Sequence, residues 1–459
     1  MEDFIDRKEE LDRLKSLFNT EEPELAVVYG RRRIGKTALS TEALKERDNS
    51  VYFQAVETTK KDQLESFIST AKQNFPGLID LRQEWEPVLK HLIQEDAIVV
   101  LDEFPYLVDS DESLPSVLQK LWDHETGDSQ AKFVLTGSSI GMMYDIALRG
   151  GSPLYGRVSQ NPNGEFSIDQ LPFSAAAEFF PNYTNEEKVL AFSIFGGTPH
   201  YLNAINSEKN IAENIQSGIL SQNGALHSEP ETVLRMELDE VNRYFAILKS
   251  ISRGNRSRNE IINDTGIEQS SSGYYLDRLE KLHIIQKDHP VTEDPRKSRK
   301  TRYRIRDQFF KFWFRFVYGQ TTSYDMYGEN AYEDLIQPEI GDFASETFEH
   351  LCQEAAVNIH SDLRFRKIGR WWRKGREIDI VGLTNENEIL VGEVKFTSSA
   401  LGYNTLSKLE EDTKKLDIDK DKRYALFSKN GFKKSVKEAA RERENLYLHS
   451  LDDIIGNLT

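Results

Sequence analysis

The stretch LAVVYGRRRIGKTALSTEAL, Leu25 to Leu44, decides how the first part of this chain folds. Leu25 to Tyr29 reads as a short strand, Gly30-x-x-x-x-Gly35-Lys36-Thr37 follows at once, and the residues after it have a helical pattern. A glycine-rich loop between a strand and a helix points its backbone N–H groups and the helix N-terminus at one place, and phosphate is the ligand such a cradle stabilises. Gly30, Arg31, Arg32, Arg33, Ile34, Gly35, Lys36, Thr37 and Ala38 are therefore expected to hold a nucleotide, with Lys36 reaching its β- and γ-phosphates and Thr37 holding Mg²⁺.

Working outward, AIVVLDEFPYL carries a continuously apolar run from Ala97 to Leu101 that ends in Asp102 and Glu103. Such a run suits a parallel strand covered by helices on both faces. An acid at its end can order Mg²⁺, and the adjacent Glu103 can polarise an attacking water, so hydrolysis is expected as well as binding. A third strand, AKFVLTGSS, ends in Thr136 and Ser138, which either sense the γ-phosphate or simply close a strand-to-loop turn. Arg157, in GSPLYGR, is placed to reach phosphate within its own subunit or a neighbour's, or to form a structural salt bridge.

At 459 residues, several domains are expected. A hydrophobic content of 38% with 29% charged residues describes a soluble protein, and no apolar run approaches the roughly 20 residues of a membrane span. The N-terminus lacks a signal-like apolar region, so a cytoplasmic location is expected. A single cysteine, Cys352, excludes an intramolecular disulfide and a cysteine-based zinc cluster. The net charge of −17 repels nucleic acid and anionic membrane overall, so any DNA contact needs a local basic patch.

From Val241 the pattern changes to three short helices and a hairpin, IIQKDHPVTEDPRKSRKTRYRIRD, which together read as a winged helix-turn-helix. The hairpin carries Arg296, Lys297, Arg299, Lys300, Arg302, Arg304 and Arg306 with no acid among them, a composition suited to DNA phosphates. The aromatic run QFFKFWFRFVYG covers too much of a helix to be a base-stacking platform and is expected to pack between neighbours. Further on, Asp379 in REIDIVG and Glu393 and Lys395 in LVGEVKF occupy two strands joined by the turn LTNENE. Side chains i and i+2 of a strand share a face, so adjacent pairing brings the three together. Trp371 and Trp372 are expected to split, one into the core and one out of it.

FIDRKEELDRL, YGRRRIGKTAL, VVLDEFPYL, VLTGSS, PLYGR, LPFS and FGGTPHYL occur in the order found in the archaeal-type ATPase family, a branch of AAA+/STAND-like P-loop NTPases, and the chain resembles that family. The C-terminal part resembles the domain usually coupled to it, domain of unknown function 234, which is similar to PD-(D/E)XK nucleases. The resemblance implies an α/β multidomain protein. Its parts are a P-loop core (1–165), a helical lid (166–235), a winged helix-turn-helix (236–310), an aromatic helical connector (311–340) and an α/β restriction-endonuclease-like domain (341–459). It places ATP and Mg²⁺ at the first site. At the second it implies Glu349 on a helix with Asp379, Glu393 and Lys395. Asp379 and Glu393 would coordinate Mg²⁺ or Mn²⁺, and Lys395 would orient water or offset developing charge. The expected function is a Mg²⁺-dependent ATPase that binds DNA and cuts it under control of ATP. The alternative is a nucleotide switch or scaffold with a silent nuclease fold. DNA is the expected partner and membrane is not; a homo-oligomer stays open.

Overall fold

The computed structural model describes residues 5–160, 163–238 and 240–458, so Phe4 of the opening motif lies outside the described residues. The chain divides into two compact units between Gln170 and Leu171.

The first unit is built on strands β1 (Glu24–Tyr29), β2 (Ser50–Gln54), β3 (Ile98–Asp102), β4 (Lys132–Gly137) and β5 (Glu165–Ser167), all parallel, in the order β2-β3-β4-β1-β5. Parallel strands joined by crossover helices bury both faces, which is why β1, β3 and β4 are buried at every position. Along β1, Leu25, Val27 and Tyr29 enter one core with Phe67, Trp85 and Leu89, while Ala26 and Val28 enter another with Leu14, Leu17 and Leu39. Strand β4 sits between the loop-bearing β1 and the acid-bearing β3. The C-terminal ends of all three therefore open on one edge, the position where open α/β sheets bind ligands.

The expected boundary between residues 165 and 166 falls inside β5, because that strand completes the sheet by pairing with β1 over Val27–Tyr29. Among the described residues no helix is long and apolar enough to cross a membrane.

In the second unit, helices Val241–Ser252, Arg258–Thr265 and Gln269–Lys281 are followed by the antiparallel pair β6 (Ile285–Asp288) and β7 (Arg302–Ile305). Ser257 caps the second of these helices in a capping box with Glu260, and Gly266 ends it at φ 68°. The helical turn Gln308–Phe312 continues into Trp313–Val317, so the expected boundary at residues 310 and 311 cuts a continuous helical segment. Phe309, Phe310, Phe312, Trp313, Phe314 and Phe316 on it are buried, as a packing role requires.

The 23-residue helix Gln337–Ile359 then packs on a mixed sheet of β8 (Phe365–Arg373), β9 (Arg376–Thr384), β10 (Glu388–Lys395), β11 (Asp421–Ser428) and β12 (Leu446–Ser450). The order is β12-β11-β10-β9-β8, with β9 antiparallel to both β8 and β10, and β10, β11 and β12 mutually parallel. Cys352 is buried on the long helix. Trp371 and Trp372 do not split: both are buried, Trp371 in the sheet core and Trp372 beneath the Arg302 guanidinium, 4.4 Å from the ring centre. The hairpin covers the face of β8 that alternation alone would leave to solvent.

Candidate functional site

The phosphate-binding loop owes its shape to two left-handed residues and one close approach. Gly35 has φ 97° and Arg33 φ 67°, which turns the chain into the helix Lys36–Leu44. A Cβ on Gly30 would lie 2.2 Å from the Ile168 carbonyl oxygen, so only glycine lets the loop leave β1 there. Lys36 is buried, and its ammonium donates to the carbonyls of Gly30 (2.9 Å) and Arg31 (3.0 Å) and to Ser138 Oγ (2.9 Å). Arg32 donates to the Tyr106 hydroxyl at 2.8 Å.

Because β4 lies between β1 and β3, its end residues bridge the loop and the acids. Asp102, buried, accepts from Thr37 Oγ1 at 2.8 Å and also from the hydroxyls of Thr136 and Tyr52. Ser138 gives both its backbone N–H and its hydroxyl to Glu103, which sits at φ 53° just past the strand. One chain of contacts thus runs from Lys36 through Ser138 to Glu103. Burial, with the Asp102 hydrogen bond and charge, holds the Tyr52 phenol well above its ordinary range.

Two residues outside the expected site set also contribute here. Tyr52 is visible in sequence only as one aromatic in the strand SVYFQ. Arg7 is buried and donates to the carbonyls of Ile34 (2.8 Å) and Asp169 (2.6 Å), bracing the loop from behind. Arg157 is held by Asp123 in a two-pronged pair of 3.0 and 2.7 Å, the structural salt bridge among its three expected roles.

The donor set fits a magnesium nucleotide. Hard oxygen atoms of Thr37 and Asp102 face each other, a buried ammonium lies beside them, and the loop leaves no room for a side chain at Gly30.

In the second unit the antiparallel register of β9 and β10 pairs Gly382 with Leu390, Val381 with Val391 and Ile380 with Gly392. Continued one step, it sets Asp379 opposite Glu393, on the same face. Lys395, two residues on, places its ammonium 2.7 Å from Glu393 Oε1 and 3.7 Å from Asp379 Oδ2. Asp379 also accepts from the Val394 N–H at 3.0 Å, and Gln353 on the long helix donates to the Asp379 carbonyl at 2.8 Å. Burial and the neighbouring Asp379 raise the Glu393 carboxyl, with Lys395 opposing. Burial lowers the Lys395 ammonium, but Glu393 and Asp379 outweigh it and the net direction is up.

Glu349 stands on the helix above this group but turns to Arg370, 3.3 Å away. Arg370 in turn bonds Glu377 at 2.5 Å, and the same Glu377 oxygen accepts from Arg302 at 2.9 Å. Burial pushes Glu349 up to about 7, with Arg370 opposing and Asp379 reinforcing. Glu349, expected on the helix beside the metal-binding pair Asp379 and Glu393, thus faces Arg370 instead, and among the described residues no cluster of three His, Cys, Asp or Glu is placed to hold a metal. The reason is charge: with three acids in a buried corner, Lys395 and Arg370 supply the compensation. The pair Asp379 and Glu393 still offers hard oxygen donors side by side, so these two residues fit a divalent cation. Arg370 is missing from the expected set because its importance comes from two acids on other elements.

The basic hairpin also divides. Arg296, Lys297, Arg299 and Lys300 are exposed, with Lys300 paired to Glu293. Arg302 and Arg304 turn inward, to Glu377 and to Asp288 at 3.1 Å. Strand pairing with β6 and docking on β8 place them against these acids.

Comparison with known proteins matches two separate parts of the chain to two families. Residues 4–205 match a family described as an ATPase domain predominantly from Archaea, and residues 313–414 match a family of archaeal and bacterial proteins of unknown function. An uncharacterized protein of Methanocaldococcus jannaschii is 31% identical over 461 residues, covering 98% of this chain and 99% of its own. A second uncharacterized protein of that organism is 33% identical over 63 residues, covering 14% of this chain and 58% of its own. Among solved structures, the Walker-type ATPase of Pyrococcus abyssi aligns with a TM-score of 0.52 at 20% identity, over 68% of this chain and 96% of that one.

Proposed function

This chain belongs to the family of predominantly archaeal P-loop ATPases that carry the C-terminal domain of unknown function, and from that premise we propose a Mg²⁺-dependent ATPase that binds DNA and cuts it at the C-terminal sheet, nucleotide state governing the cut. In the first unit, Thr37 and Asp102 would hold Mg²⁺, and the bound ion supplies charge neutralisation on the phosphates. Lys36, withdrawn from three oxygen partners, takes up phosphate charge. Glu103 acts as base toward water, and Ser138 fixes its direction. Since Ser138 Oγ also accepts from Lys36, a change at the Lys36 ammonium is passed to Glu103 within a single side chain.

The three helices and the β6–β7 hairpin are read as a winged helix-turn-helix that contacts DNA phosphates through Arg296, Lys297, Arg299 and Lys300. The observation that carries the nuclease reading is the meeting of Asp379, Glu393 and Lys395 at the end of two paired strands. Asp379 and Glu393 would hold Mg²⁺ or Mn²⁺, which supplies polarisation of the scissile phosphate. Lys395 orients the attacking water or offsets charge on the phosphorus. Glu349 is brought toward the pair when Arg370 releases it.

The attachment of Glu349 to Arg370 favours a second reading, a nucleotide switch whose nuclease-like domain does not cut. Labelled linear, branched and single-stranded DNAs, incubated with Mg²⁺ or Mn²⁺ with and without ATP, separate the two. Cleavage by the native chain and its loss in Asp379→Ala is the expected result. ATP hydrolysis with no cleavage of any substrate overturns the nuclease in favour of the switch.

A further inference from the structure

Strand β8 is the edge of the C-terminal sheet, and its sequence is unusual for so acidic a chain. From Arg364 to Arg376 the strand and the residues flanking it carry seven Lys or Arg residues and no acid, in a protein with 59 basic and 76 acidic side chains. Arg370 and Arg376 are tied to carboxylates. Arg364, Arg366, Lys367, Arg373 and Lys374 are exposed, and among the described residues they have no ion-pair partner. A register shift between Phe365 and Lys367 interrupts strict alternation, leaving neighbouring Arg366 and Lys367 both in solvent.

The basic hairpin docks on this same strand. The Val291 N–H donates to the Arg370 carbonyl at 2.9 Å, and the Val291 side chain lies against Gly369. Arg296, Lys297 and Arg299, a few residues beyond Val291, are likewise exposed and unpaired among the described residues. Two basic segments far apart in sequence thus lie on elements docked against each other. A charge or two suffices to keep an edge strand from pairing with another chain; five unpaired cations leave an excess that a polyanion would neutralise.

We propose that β8 is itself a nucleic-acid-binding element: a phosphodiester backbone crosses the hairpin loop and runs along β8, with Arg366 and Lys367 holding it on one side of the docked hairpin and Arg373 and Lys374 on the other. Arg366 and Arg373 lie roughly 20 Å apart at the usual rise of a strand, enough to meet several phosphates of a duplex. Because β8 pairs with β9, the strand that carries Asp379, this path leads the backbone to the carboxylate pair. The inference rests on the reading of the hairpin as a DNA contact and extends it to a strand outside it.

The test is the salt dependence of full-length chain binding to a labelled DNA duplex, read by fluorescence anisotropy. Native protein is compared with a hairpin variant (Arg296→Gln, Lys297→Gln, Arg299→Gln) and two strand variants (Arg366→Gln with Lys367→Gln; Arg373→Gln with Lys374→Gln), each checked for an unchanged melting temperature. Each strand pair should weaken binding about tenfold and flatten the log K against log salt slope by about 2, one lost phosphate contact being worth about 0.9. If the hairpin variant is weakened while both strand variants bind with native affinity and slope, β8 is not part of the interface and the hairpin reading stands. If native protein shows no salt-dependent binding, the hairpin reading fails and the inference falls with it.

Discussion

Acidification should loosen the second unit through one pair of rings. His360 ends the long helix that bears Glu349, and His449 lies on β12; their Nε2 atoms are 3.1 Å apart, so one ring donates and the other accepts. Burial lowers both from 6.5 to about 4; for His360 the neighbouring His449 and Arg423 add to it, while Asp362 opposes at His360 and Asp453 at His449. Folded-state values below the unfolded ones mean that the unfolded chain takes up protons first as pH falls. The stabilisation is therefore complete above the unfolded value near 6.5 and is lost as pH drops toward 4. Between pH 7.5 and 5.5 each ring costs about 1.4 kcal/mol, at about 1.36 kcal/mol per pKa unit, and the pair about 3 kcal/mol. Urea unfolding followed by tryptophan fluorescence at the two pH values, on the native chain and on His449→Gln, measures this. Working above the pI of about 5.2 avoids association at zero net charge. Groups elsewhere titrate in both chains and cancel, so the variant should lose about half as much of the pair's contribution as the native chain. An equal or greater pH-dependent loss in His449→Gln would refute the assignment.

Three further outcomes are expected. Glu103→Gln should slow ATP hydrolysis by about 10²-fold in a phosphate-release assay while a fluorescent nucleotide binds within a few-fold of native, since the carboxylate acts on water and the loop holds the phosphates. Gly30→Ala should lower stability by about 1–3 kcal/mol, because the new methyl meets a backbone oxygen that cannot move as a side chain would; thermal melting reads it, and an unchanged midpoint would contradict the close approach. Arg302→Ala removes the bond to Glu377 and the stack on Trp372, together about 1–3 kcal/mol, and should speed amide exchange in β6 and β7 selectively.

The nucleotide site was legible because its parts are local. Strand, glycine loop, Lys36 and Thr37 are contiguous, and Asp102 and Glu103 end an apolar run whose burial follows from composition alone. The meeting of Asp379, Glu393 and Lys395 was legible too, since period-two alternation and a short turn suffice to place them. Glu349 was not legible in its actual contacts: a helix position fixes which side it faces, whereas Arg370, on another element, decides where its carboxylate points.

The basic hairpin marks the same limit. Its charge is a property of sequence, and the exposed loop cations follow from it. That Arg302 turns to Glu377, 75 residues away, and that Trp372 lies beneath it, depends on how the hairpin seats on β8. Local pattern dictates strands, turns and charge, because those depend on neighbours a few residues off. Which cation meets which acid depends on packing between distant elements, where desolvation and pairing are settled together, and only the tertiary structure decides it.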